Sequence, residues 1–176
     1  MPATVQIVRL TGAGPTATDI TSINTRANAE DAHSTAGTTN PIQIPASGTN
    51  YSYWVVTRLN CTVAPSTSIS NIKWYTDGAN TLGTGITMKA ATASVYVQAT
   101  GTLGTTGTQM IVGNYTGLST PADAFTYTSA APLSVTGTTS TTGQFGDRVV
   151  YQIEVASTAS PGATGQETLT WRYDEI

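Results

Sequence analysis

The feature that most constrains this chain is a strict two-residue period in its clearest apolar runs. In residues 51–63, YSYWVVTRLNCTV, one parity carries Tyr53, Val55, Leu59, Cys61 and Val63, with Thr57 between them. The other parity carries Trp54, Val56, Arg58, Asn60 and Thr62. Residues 148–156, RVVYQIEVA, set Val149, Tyr151, Ile153 and Val155 against Arg148, Val150, Gln152 and Glu154. Successive side chains of a strand point to opposite faces, whereas a helix repeats every 3.6 residues, so both runs predict strands.

Shorter runs around residues 5–10, 69–76, 86–89, 94–99, 108–116 and 133–137 predict further strands. Residues 165–176, GQETLTWRYDEI, predict a last one, with Leu169, Trp171 and Tyr173 inward. Turn chemistry separates them, as at Asp77-Gly78. Strands at this spacing predict an all-β chain, an antiparallel β-sandwich or jelly roll of about eight strands. Residues 165–176 are expected to form a hairpin with residues 148–156, pairing Arg172 with Glu154. The best helical candidate, residues 24–35, has no apolar stripe.

Composition agrees with this. Threonine fills 36 of 176 positions and charged residues only 10%. Threonine is β-branched and suits a half-exposed pleated surface. The seven lysines and arginines are scattered, which is not the footprint of a nucleic-acid binder. No apolar run reaches membrane-spanning length, and no signal-peptide pattern opens the sequence. A single cysteine, Cys61, excludes an intrachain disulfide.

Residues 1–50 and 51–176 read as two parts: a first strand with an extended N-terminal arm, then the sandwich core. Residues 11–50 are long and non-periodic. They predict either an arm lying on another molecule or a cover over the chain's own core. Within them NPIQIPASG, residues 40–48, reads as extended, with Ile42 and Ile44 between two prolines. Residues 100–108, TGTLGTTGT, read as a mobile loop.

Catalytic patterns are weak. His33 is the only histidine, beside Glu30 and Asp31, and a polar loop position explains it better than a base or metal ligand. Cys61 sits on an apolar face and reads as a small buried hydrophobe. Asp174 and Glu175 are adjacent and point to opposite faces. Glu154 and Glu167 would become neighbours only in a terminal hairpin. The expectation is therefore a non-enzyme without cofactor or metal. Tyr51, Tyr53, Trp54, Trp74, Tyr75, Tyr96, Trp171 and Tyr173 are the remaining functional candidates, as sugar-stacking rings or as packing and contact residues. Ile42, Ile44, Tyr51, Trp54 and Arg58 are the expected contact residues, Trp54 foremost.

Three stretches, TNPIQIPASGTNYSYW (residues 39–54), NIKWYTDGAN (71–80) and GQETLTWRYDEI (165–176), resemble small virion proteins of tailed bacteriophages. The resemblance implies a multi-copy structural protein in the virion. A head decoration (cement) protein bound to a major capsid protein or another virion protein is the first expectation. It also implies a homo-oligomer, a trimer if it sits on a capsid three-fold axis. Neck or tail proteins, or a carbohydrate- or receptor-binding module, are the alternatives.

Overall fold

The computed structural model describes residues 2–176. The chain is all-β, with antiparallel sheets packed together in a β-sandwich. Twelve strands follow in order: β1 (Thr4–Thr11), β2 (Thr16–Asp19), β3 (Thr49–Tyr51), β4 (Val55–Val63), β5 (Ile69–Tyr75), β6 (Ile86–Ala93), β7 (Gly101–Thr102), β8 (Thr106–Gly107), β9 (Ala122–Asp123), β10 (Leu133–Ser134), β11 (Gly143–Ala156) and β12 (Thr170–Glu175). A 3-10 turn at Ala124–Thr126 is the one helical element among the described residues, so residues 24–35 form no helix.

Seven strands make the large sheet, in the order β2-β1-β4-β11-β6-β9, with β3 also on β11. β10-β5-β12 make a small sheet that packs on its inner face. Between them lies a core of Val55, Leu59, Met88, Val149, Tyr151 and Ile153 against Ile69, Ile72 and Trp74. The outer face of the large sheet is also buried. Val8, Leu10, Val56, Ala91, Ala93 and Val150 lie under a layer of loops that supplies Trp54, Ala99, Met110, Tyr115 and Leu118. A sheet covered on both faces explains why both parities of β4 and β11 are apolar near the middle.

The strand predicted over residues 51–63 is interrupted. Tyr51 pairs with Glu154 but Val55 with Tyr151, so three residues, 52–54, face two on β11. This bulge shifts the parity by one residue. Tyr53 consequently leaves the face of Val55 and joins Trp54 and Val56 in the outer core. Its N–H donates to the Asn28 carbonyl at 2.9 Å. Gln152, 1% exposed, fills the gap. Its amide donates to the carbonyls of Ser52 and Thr108, at 2.7 and 2.8 Å, and accepts from Met110 N–H at 2.7 Å.

Three further expectations are corrected. Residues 94–99 and 108–116 are loops, not strands. Tyr115 holds them together, its hydroxyl donating to the Val95 carbonyl at 3.1 Å and accepting from Val97 N–H at 3.2 Å. Residues 100–108 form the β7–β8 hairpin, pressed so closely on residue 52 that a Cβ on Gly107 would lie 2.1 Å from the Ser52 carbonyl oxygen. β12 does not form a hairpin with β11, whose two sides are already taken by β4 and β6. It pairs with β5, Trp171 opposite Trp74. The charges of residues 172–175 therefore lie on an edge strand, where they discourage edge-to-edge pairing.

Residues 11–50 cover the chain's own core. β2 pairs with β1, and residues 28–43 are tied to the β7–β8 hairpin. Gly104 N–H donates to the Ala29 carbonyl at 3.0 Å and Gln43 N–H to that of Thr105 at 3.0 Å. Glu30 accepts from the amides of Asn28 and Asn40.

Candidate functional site

The small sheet has three strands and the large one seven, so part of the inner face has no strand above it. A cleft of about 1160 Å³ opens there. Its floor is Ile7, Thr57, Met88, Tyr151, Ile153 and Val155, side chains of the inner face. One wall is the covering segment, residues 20–28, 35–38 and 41–44. The other is the loop of residues 159–169, which leads into β12. Trp74, fully buried, backs the cleft, and Trp171 lies at its edge.

The floor is apolar except at one corner, where Thr57 and Tyr151 line the cleft and Arg9 lies buried beside them without lining it. Arg9, opposite Thr57 across β1 and β4, shares the inner face with Ile7. It is 1% exposed. One terminal nitrogen donates to the Thr25 hydroxyl at 2.7 Å and to the Arg26 carbonyl at 2.6 Å, which pins the covering segment over the corner. Its Nε is buried without a hydrogen-bond partner. Desolvation lowers its pKa, opposed by the charges of Tyr151, Asp31 and Glu30 acting through space. Tyr151, 4% exposed, stands beside it in the same field; burial raises its phenol to about 12, and the Arg9 charge acts in the opposite sense. Tyr151 lines the cleft. The third member of the corner, Thr57, is occupied: its hydroxyl donates to the Val149 carbonyl at 2.9 Å.

The expected contact residues separate. Ile42 lines the cleft and packs on the inner core; Ile44 lines it and is 37% exposed. Tyr51 is half-buried on β3, its N–H donating to the Thr106 hydroxyl at 2.9 Å. Arg58 is half-buried, its Nε donating at 2.7 Å to the Gly146 carbonyl at a bulge of β11, where Gly146 has φ 69°. Trp54, expected at a contact surface, is buried: its ring packs on Tyr115 at 5.3 Å and its indole N–H donates to the Val97 carbonyl at 3.0 Å. It stays on the face of Val56, as the alternation placed it, but that face is covered by the loop layer. Trp54 and Trp74 thus present no face on which a sugar could stack.

The acidic residues do not converge. Glu154 accepts from the Thr87 hydroxyl, Glu167 from Thr81, Asp174 from Asn71 and Glu175 from Ala3 N–H. Arg172 lies over the Tyr75 ring, 5.9 Å from its centroid, instead of pairing with Glu154. His33 stands 3.2 Å from the Thr25 hydroxyl, and desolvation, then the Arg9 charge, lowers its pKa. Among the described residues no group of three or more His, Cys, Asp or Glu is placed to hold a metal ion.

Arg9, Thr57 and Tyr151 escaped notice in the sequence. The signal was present: Arg9 is the one charge in its strand, and Tyr151 the one polar group among the otherwise aliphatic Val149, Ile153 and Val155 of its parity. No family model, no curated protein and no solved structure matches this chain.

Proposed function

We propose that this chain is a non-enzymatic structural protein of a virion, first a head decoration (cement) protein and second a neck or tail protein. What carries this reading is where the three phage-like stretches meet. They are distant in sequence, yet the first supplies residues 41–44 of the cleft wall, the second its backing ring Trp74, and the third residues 165–169 and Trp171. The rim carries apolar side chains that water leaves exposed, Ile23 at 48% and Ile44 at 37%. Such rim residues suit contact with a major capsid protein or a second copy of the chain, where many symmetric copies multiply weak contacts.

Residues 11–50 are engaged on their own domain, so the bridging contact is assigned to the rim and not to a free arm. The test is quantitative mass spectrometry of purified particles together with localisation of the chain by electron microscopy. Hundreds of copies on the head are expected. A handful at the neck or tail would select the second assignment, and absence from particles would reject the reading. Light scattering of the purified chain tests the trimer.

A further inference from the structure

We infer that Arg58 and Arg148 form a docking point for an acidic side chain of a partner protein, on the outer face of the large sheet. The two arginines are far apart in sequence, and the fold brings them together. Arg58, on β4, lies opposite Val8 of β1 on one side and the β11 bulge between Phe145 and Val149 on the other. Arg148 belongs to that bulge and pairs with Ala93 of β6. Arg58 has the parity of Val56 and Arg148 that of Val150, so both stand on the outer face, and both are half-buried. Arg58 Nε donates to the Gly146 carbonyl at 2.7 Å, which holds its guanidinium against the bulge. A terminal nitrogen of Arg148 donates to the Ser94 carbonyl, also at 2.7 Å.

What the pair lacks is an anion. A guanidinium has five N–H donors, and each of these two gives one to a main-chain carbonyl. Arg148 Nε is buried without a partner. Desolvation lowers the Arg58 pKa and the charge of Arg148 lowers it further, while Asp147 opposes them through space. Two like charges drawn partly out of water are costly, and an anion shared between them offsets both the repulsion and the lost hydration. Charge complementarity therefore selects an oxyanion. A single carboxylate fits better than a nucleic-acid backbone, which needs a row of cations to follow. No such row leaves the pair: Lys73 and Arg172 stand on the small sheet, Arg9 and Arg26 on the cleft side, and Lys89 opposite Gln152, further along β11. The chain's net charge of −3 also repels a polyanion. Val95, 43% exposed, follows Ser94 beside the pair and offers an apolar contact to residues flanking the acid.

The inference does not rest on the virion reading, and the purified full chain suffices to test it. An acetylated, amidated peptide Ser-Leu-Glu-Leu-Ser and its Ser-Leu-Gln-Leu-Ser counterpart are titrated at low salt. Binding is followed by NMR of the arginine Nε–H groups and of the Val95 and Gly146 backbone amides. Saturable shifts at these groups are expected with the Glu peptide, and about tenfold weaker binding with the Gln peptide. Arg148→Met is expected to weaken the Glu peptide by a similar factor, and Arg172→Ala to leave it unchanged. Arg58→Met serves as the second variant should Arg148→Met perturb folding. Absence of saturable binding would overturn the inference, as would equal affinity for the two peptides or undiminished binding in both Met variants. Tighter binding of inorganic phosphate than of the Glu peptide would overturn it by assigning the pair to a free anion. Tighter binding of a mixed-sequence DNA duplex would overturn it by assigning the pair to nucleic acid.

Discussion

The two faces of the large sheet are covered by different means. The outer face is sealed by loops that no strand pattern describes, yet it is the tighter of the two. Trp54, Met110 and Tyr115 are at most 3% exposed there, and Gln152 satisfies the backbone groups beneath them. The inner face is covered by regular strands, and they leave a cleft. Regular structure is therefore not what completes burial in this molecule. Large side chains on irregular backbone do so on one side, and a shortage of strands prevents it on the other.

This contrast is open to measurement. The largest effect is expected on the sealed side. Trp54→Ala removes a ring from a closed layer and should cost about 4 kcal/mol, read from denaturant unfolding. If the loss were under about 1 kcal/mol, the loop layer would not be a core. Gly107→Ala should cost about 3 kcal/mol, because its Cβ would meet the Ser52 backbone, which cannot yield as a side chain would.

On the open side the sharpest probe is pH. Tyr151 is held protonated up to about 12, against about 10 for an unfolded tyrosine. Its folded pKa is the higher, so its contribution is complete below pH 10 and is lost as pH rises from 10 to 12. Wild type should lose about 2 kcal/mol more than Tyr151→Phe across that window, measured by urea unfolding at each pH. Equal losses would mean that the hydroxyl is well solvated. Ile153→Ala, on the cleft floor, should cost no more than about 2 kcal/mol, at the low end for its type, because part of its surroundings is already empty. The smallest effect belongs to the edge. Arg172→Ala should change stability by about 0.5 kcal/mol or less, as its Tyr75 contact is exposed to solvent.

Much of the large sheet was legible in the sequence. β11 follows the alternation of residues 148–156 side chain by side chain, because a central strand with fixed partners on both sides has no freedom of register. β4 was legible from Val55 onward. The bulge before it was not, since an apolar pattern on both parities continues through an inserted residue unchanged. The apolar run at residues 110–112 suggested a strand, but Gly113 and Asn114 turn it, and Ile111 and Val112 remain exposed. The pairing of β12 was misjudged because neighbours in sequence are the default partners. The cleft was least legible of all. It is made by what the small sheet lacks, and its polar corner draws on three strands in which Arg9 and Tyr151 show only as lone polar positions in apolar patterns.

The partnership of β5 and β12 has a bearing on how the chain is made. Asn71 and Asp174 meet across a separation of 103 residues. A growing chain therefore emerges from the ribosome with Ile69, Ile72 and Trp74 in place but without the strand that flanks them. The small sheet can be completed only after everything between has been synthesised, which makes its closure slow and leaves an apolar strand available to chaperones, or to another chain, in the meantime.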